Sequence, residues 1–146
     1  MTANPLRVAA RVLSGSTYAI LGYDALRTPG GRTDLAAPTL AALRKTVPLP
    51  EDDELLVRGN AAVQAGAGAL LALGKFPRLS AVALIASMVP TTAAGHAFWK
   101  IEDPAARKLQ RVQFQKNLAM IGGLLFAVID TKPKATAPDP APDQPR

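Results

Sequence analysis

One histidine, His96, stands near the end of an apolar run that reads Pro-Thr-Thr-Ala-Ala-Gly-His-Ala-Phe-Trp-Lys from Pro90 to Lys100. A charged connector follows, and the next apolar run opens with Lys116 and Asn117. Together with Trp99, these residues supply an imidazole, an indole face, a positive charge and an amide. Such a set can hydrogen-bond, stack on and neutralise a polar group. Asn60 and Gln64, four apart on an earlier run, add two amides on one helix face. Each residue also has a plain structural role. His96 can bond a carbonyl or a headgroup. Trp99 suits an aromatic belt, Lys116 can snorkel, and Asn60 and Gln64 can bond neighbouring helices.

What argues for chemistry is that all six arrive at one end once the apolar runs are helices crossing a membrane. The runs are four, near Leu6–Ala25, Leu55–Leu73, Leu79–Phe98 and Phe114–Ile129. Twenty helical residues span about 30 Å, the thickness of a bilayer's hydrocarbon core. The uninterrupted part of the last run, Leu118 to Ile129, is short for a span, and by length alone it suits a buried core helix better. With alternating helices, one side collects Tyr23 and Asp24, Asn60 and Gln64, His96 and Trp99, and Gln113, Lys116 and Asn117. The opposite side collects Arg7, Arg11, Lys75, Arg78 and Lys132, with little other polar chemistry. Polar groups at membrane depth cost several kcal/mol unless partnered, so the first side is the candidate site.

The local punctuation fits this plan. Gly15 and Gly22, with Ser14 and Ser16, offer a small-residue surface on the first segment, and Ala62/Gly66 and Ala65/Ala69 do so on the second. Glu51 to Glu54 suit a helix N-terminus, Gly74 a helix end, and Asp103-Pro104 an N-cap and first helical position. Pro90 breaks the backbone ladder of the third segment, where Thr91 and Thr92 can satisfy freed carbonyls. Between Arg27 and Pro50, Thr28-Pro29-Gly30-Gly31 is a turn. Pro38 then opens either a short surface helix with Leu40, Leu43 and Val47 on one face, or a loop.

The chain has 146 residues, 49% hydrophobic and 19% charged, with a net charge of +6 and no cysteine. That charged share is below the roughly 25% of soluble domains, and disulfides, thiolate nucleophiles and Cys metal sites are excluded. With a single histidine, so is a bis-histidine haem within one chain. The basic balance fits anionic lipid better than nucleic acid, because basic residues flank the apolar runs. Residues 1–131 read as one domain, and Lys132 to Arg146, rich in proline and without aromatic or large apolar residues, as a disordered tail. The expected fold is all-α: a four-helix transmembrane bundle with short connectors, its first segment a retained helix and not a signal peptide.

Gly95-His96-Ala97-Phe98-Trp99, Phe114-Gln115-Lys116-Asn117-Leu118 and Ile121-Gly122-Gly123-Leu124-Leu125 resemble motifs of the DoxX family of small bacterial membrane proteins. Leu71-Ala72-Leu73-Gly74 with Pro77-Arg78 is similar to its second hairpin, and the likeness runs from about Leu6 to Ile129. The resemblance implies a multi-pass protein of the bacterial cytoplasmic membrane, linked to redox partners and to quinone. On that basis the polar side would hold a quinone headgroup. His96 and Asn117 would bond its two carbonyls, Lys116 would stabilise developing charge and Trp99 would stack. A self-sufficient sulfur enzyme would need a thiol, metal or flavin site that the sequence does not offer. The alternative is a non-catalytic scaffold that anchors a partner or binds lipid, alone or as an oligomer.

Overall fold

The computed structural model describes residues 4–130. Five α-helices follow one another: α1 (Pro5–Arg27), α2 (Arg32–Leu43), α3 (Asp53–Ala72), α4 (Pro77–Gly95) and α5 (Pro104–Ile129), with a 3-10 turn at Phe98–Lys100 before the last. The expected disordered tail lies outside the described residues.

Three of the long helices begin in the same way, with a short polar side chain accepting from a backbone N–H of the first turn. Asn4 accepts from Leu6 N at 3.0 Å, Asp52 from Leu55 N at 3.0 Å and Asp103 from Ala106 N at 2.6 Å. Pro5 and Pro104 fill first-turn positions where a missing N–H costs nothing. The Asp103 cap makes α5 one continuous helix of 26 residues, about 39 Å long. The shortness of Leu118–Ile129 is thereby removed, and the basic stretch before Phe114 is helical from the expected start at Asp103-Pro104.

Two boundaries differ from the sequence reading. The third segment leaves the α-helix at His96, so Phe98 and Trp99 belong to the 3-10 turn. Gly95 is the last helical residue, and His96 caps the helix with its N–H on Thr92 O at 3.1 Å. In the first connector, α2 starts at Arg32, not at Pro38, which sits inside it. The Pro29–Gly30–Gly31 turn starts the helix early, with Arg32 N on Pro29 O and Thr33 N on Gly30 O. Val47 falls beyond its end, and α2 lies across α3 and α4.

The α3–α4 turn carries strain. Gly74 adopts φ +70°, which suits glycine, but Phe76 adopts φ +49°. For a side chain with a Cβ that conformation costs about 1–2 kcal/mol. The Phe76 ring is 70% exposed and returns little packing. Phe76→Gly should therefore raise stability by about 0.5–1 kcal/mol, read as a higher thermal midpoint in mild detergent. A lowered midpoint would show that the ring contributes more than its backbone costs.

α1 and α3 run antiparallel in backbone contact. A Cβ built on Gly15 would lie 2.6 Å from Gly68 O, one on Gly22 would lie 2.5 Å from Ala65 N, and one on Gly68 would lie 2.5 Å from Ala19 N. The glycine surface of α1 is as expected, but α3 answers with Ala61, Ala65, Gly68 and Ala72. The expected Ala62/Gly66 pair points elsewhere, and nothing lies within 4 Å of a Cβ on Gly66. The reason is in the stripes. The row through Ala62, Gly66 and Ala69 runs into Leu73, whereas the row through Ala61, Ala65, Gly68 and Ala72 stays small throughout.

The remaining helices pack as successive hairpins, α3 on α4 and α4 on α5. The core gathers Tyr18, Leu71, Leu84, Met88 and Leu124, together with buried Ser80, Ser87 and Thr92. Large apolar side chains face outward from all four long helices, among them Leu13, Ile20, Leu70, Leu79, Val89, Leu125 and Phe126. A small core shared with alanine and hydroxyl side chains, and many large apolar residues outside, is the distribution of a bundle solvated by lipid. At one end Arg7 Nη2 meets Asp130 Oδ1 at 2.8 Å, so the start of α1 and the end of α5 share a side. At the other, Arg58 donates to Leu26 O and Glu54, tying α3 to the end of α1.

Candidate functional site

The polar residues of the expected site collect along α4, whose ladder is interrupted at Pro90. Thr91 Oγ1 donates to Ser87 O at 2.8 Å, the carbonyl one turn back. Asn60 of α3 then spans both residues: Ser87 Oγ donates to its Oδ1 at 2.8 Å, and its Nδ2 donates to Thr91 Oγ1 at 2.9 Å. From α5, Asn117 Nδ2 donates to Thr92 Oγ1 at 3.1 Å. The two amides thus clamp adjacent residues of α4 from two neighbouring helices.

One turn further, His96 Nδ1 lies 2.7 Å from Gln110 Oε1 of α5. With a carbonyl oxygen facing it, Nδ1 carries the hydrogen, and in the neutral ring Nε2 is left as an acceptor. Beyond His96, Phe98, Trp99 and Phe114 meet edge to face, with centroids 5.2, 5.5 and 5.8 Å apart. The Trp99 ring is 55% exposed. Lys116 is exposed, and half-buried Gln64 makes no side-chain hydrogen bond among the described residues. Asn60, Asn117 and His96 are therefore engaged along one side of the bundle, with Trp99 at its end. Lys116 and Gln64 are not part of the hydrogen-bonded set.

Ser87 and Gln110 escaped the sequence reading. Ser87 had a signal, lying four residues before Thr91 and three before Pro90. Gln110 had none, because its role depends on how α5 folds back on α4.

The opposite end is less plain than its sequence suggested. There α1 and α5 diverge and leave a cleft of about 580 Å³ floored by Leu71 and Leu124. Arg7 and Asp130 line it as an ion pair. Arg11 lines it too, with its guanidinium so close to Gly74 that a Cβ there would lie 3.2 Å from Cζ. Among the described residues, two buried side-chain atoms lack a hydrogen-bond partner, Arg11 Nε and Tyr18 Oη, both on α1.

Among the described residues, three helical stretches are long and apolar enough to cross a membrane: Asp53–Ala72, Pro77–Lys100 and Pro104–Ile129. No curated protein and no solved structure matches the chain. A family model does: DoxX matches residues 6–97, from the start of α1 to the residue after His96. The match takes in the α1–α3 glycine contact, the Asn60 clamp on α4 and the Gly95-His96 helix end, and it leaves α5 outside. With more than half of the chain covered and membrane helices in place, this protein belongs to the DoxX family.

Proposed function

We propose that the chain is a multi-pass protein of the bacterial cytoplasmic membrane. It crosses the bilayer four times and works as a non-catalytic anchor that binds lipid and holds a partner. The observation that carries this reading is the engagement of the polar side chains with one another. Asn60, Asn117 and His96 spend hydrogen bonds on Ser87, Thr91, Thr92 and Gln110, the use polar groups have when they hold membrane helices together. The fourth crossing is α1. Its 23 residues reach about 35 Å, and Leu6, Leu13, Ile20 and Leu21 face outward. Because the chain lacks cysteine, single introduced cysteines give clean topology labels. Sites just before Pro5 and just after Asp130 should label from the same side of sealed membranes. Labelling from opposite sides would overturn the four-crossing arrangement.

A redox-linked, quinone-related subunit is the second reading. It is favoured by the half-buried His96, whose other ring nitrogen makes no hydrogen bond among the described residues, two residues before the Phe98–Trp99–Phe114 cluster. Trp99 is the single tryptophan, so its fluorescence reports on this end alone. On the anchor reading, protein purified from membranes carries well under one quinone per chain, and added quinone leaves Trp99 emission unchanged. His96→Ala should then lower stability by about 1 kcal/mol through loss of the Gln110 bond. Stoichiometric quinone that is lost in His96→Ala at an unchanged melting temperature would replace the anchor reading with the redox one.

A further inference from the structure

The cleft between the first half of α1 and the last half of α5 has a property that the anchor reading leaves unused. Its walls are apolar, formed by Leu6, Leu71, Leu124, Phe126 and Ile129, and its volume of about 580 Å³ lies within the range of ligand clefts. Its charges do not balance. Asp130 neutralises Arg7 at 2.8 Å, and Arg11 has no acidic partner among the described residues. Arg11 is held in place from behind. Its guanidinium packs on Gly74 at the C-terminal end of α3, a helix with no basic residue in its own last turn. Its Nε is buried without a partner, so part of the donor capacity of the side chain is unmet. Ser14, one turn along α1, adds a hydroxyl to the same cleft.

We infer that this cleft binds one anionic phospholipid, its phosphate on Arg11 and an acyl chain along the apolar wall between α1 and α5. The inference rests on the membrane placement proposed above. Three features select the occupant. The excess positive charge lies at the end of the helices, at headgroup level, where basic residues attract anionic lipid. The apolar wall continues from that charge toward the bundle centre, which suits an amphiphile and gives a free anion nothing to contact. A second copy of the chain would bring its own unbalanced Arg11 to the mouth, and like charges would oppose it.

Native mass spectrometry and thermal shift in mild detergent test this, with phosphatidylglycerol, phosphatidylcholine and inorganic phosphate as probes. One phosphatidylglycerol per chain should be retained and should raise the melting temperature. Phosphatidylcholine, whose choline cancels the phosphate charge, and inorganic phosphate should not. Arg11→Gln should weaken retention at least tenfold. Ala10→Trp, which fills the cleft and leaves Arg11 on Gly74, should abolish it even if Arg11→Gln fails to fold. Equal retention of phosphatidylcholine, a shift with inorganic phosphate alone, full retention in Ala10→Trp, or a lipid-free dimer would each overturn the inference. Membrane fractionation of the same preparation separates the two proposals. Protein that inserts without retaining phosphatidylglycerol refutes only the lipid site, and protein that does not insert refutes the anchor as well.

Discussion

Replacing Gly68 by valine should cost at least about 3 kcal/mol and leave little folded bundle in detergent. Oversized side chains in packed interiors usually cost about 1–3 kcal/mol, because flexible neighbours give way. Here the neighbours are backbone. The new Cβ would lie 2.5 Å from Ala19 N and 2.7 Å from Gly15 O, and neither can move without parting α1 from α3 along its length. The control sits two residues away. Gly66→Ala adds its methyl where nothing lies within 4 Å, so it should be neutral or stabilising by up to about 1 kcal/mol from helix propensity. Thermal unfolding of both variants in the same detergent decides the matter. A Gly68→Val protein that melts like the wild type would mean that the two helices do not touch at backbone distance.

Asn60→Ala should cost about 1–2 kcal/mol, a large effect for one polar side chain in a membrane bundle. The loss removes both bonds to α4 and strands the buried Ser87 hydroxyl beside the proline break. Gln64→Ala, one turn deeper on the same helix and without a side-chain hydrogen bond among the described residues, should change stability by less than about 0.5 kcal/mol. The pair separates a structural clamp from a ligand site. If Asn60→Ala keeps the wild-type melting temperature and Gln64→Ala does not, the amide belongs to a site and not to the clamp.

The expected site was legible in part, and the pattern of success is physical. Asn60, Asn117, His96 and Trp99 were expected at one end by counting helices; Asn60, Asn117 and His96 instead lie along one side of the bundle, with Asn117 midway along α5, and Trp99 stands at its end. Their partners were less visible. Hydrogen bonds such as Asn60 to Thr91 and Asn117 to Thr92 join residues 31 and 25 positions apart. Nothing in the local sequence says that these amides meet hydroxyls and not a ligand. Lys116 and Gln64 looked equivalent to the others by type and depth, yet the helix rotations leave them outside the network.

By itself the sequence determined the helices and most of their ends. Asp52, Asp103, Gly74 and Pro104 act on backbone groups within a few residues, so their effect is written next to them. It also determined that the bundle is apolar outside, since no arrangement could bury so many large side chains among four helices rich in glycine and alanine. Leu73, which ends the Ala62–Ala69 row, marked the small stripe of α3 in the sequence, but the tertiary structure alone showed that α1 is the helix that meets it. It alone joined Arg7 to Asp130, 123 residues apart, and opened the cleft beside Arg11. Such features depend on the rotation and divergence of whole helices, which are set by the sum of many weak contacts and leave no mark at any one position.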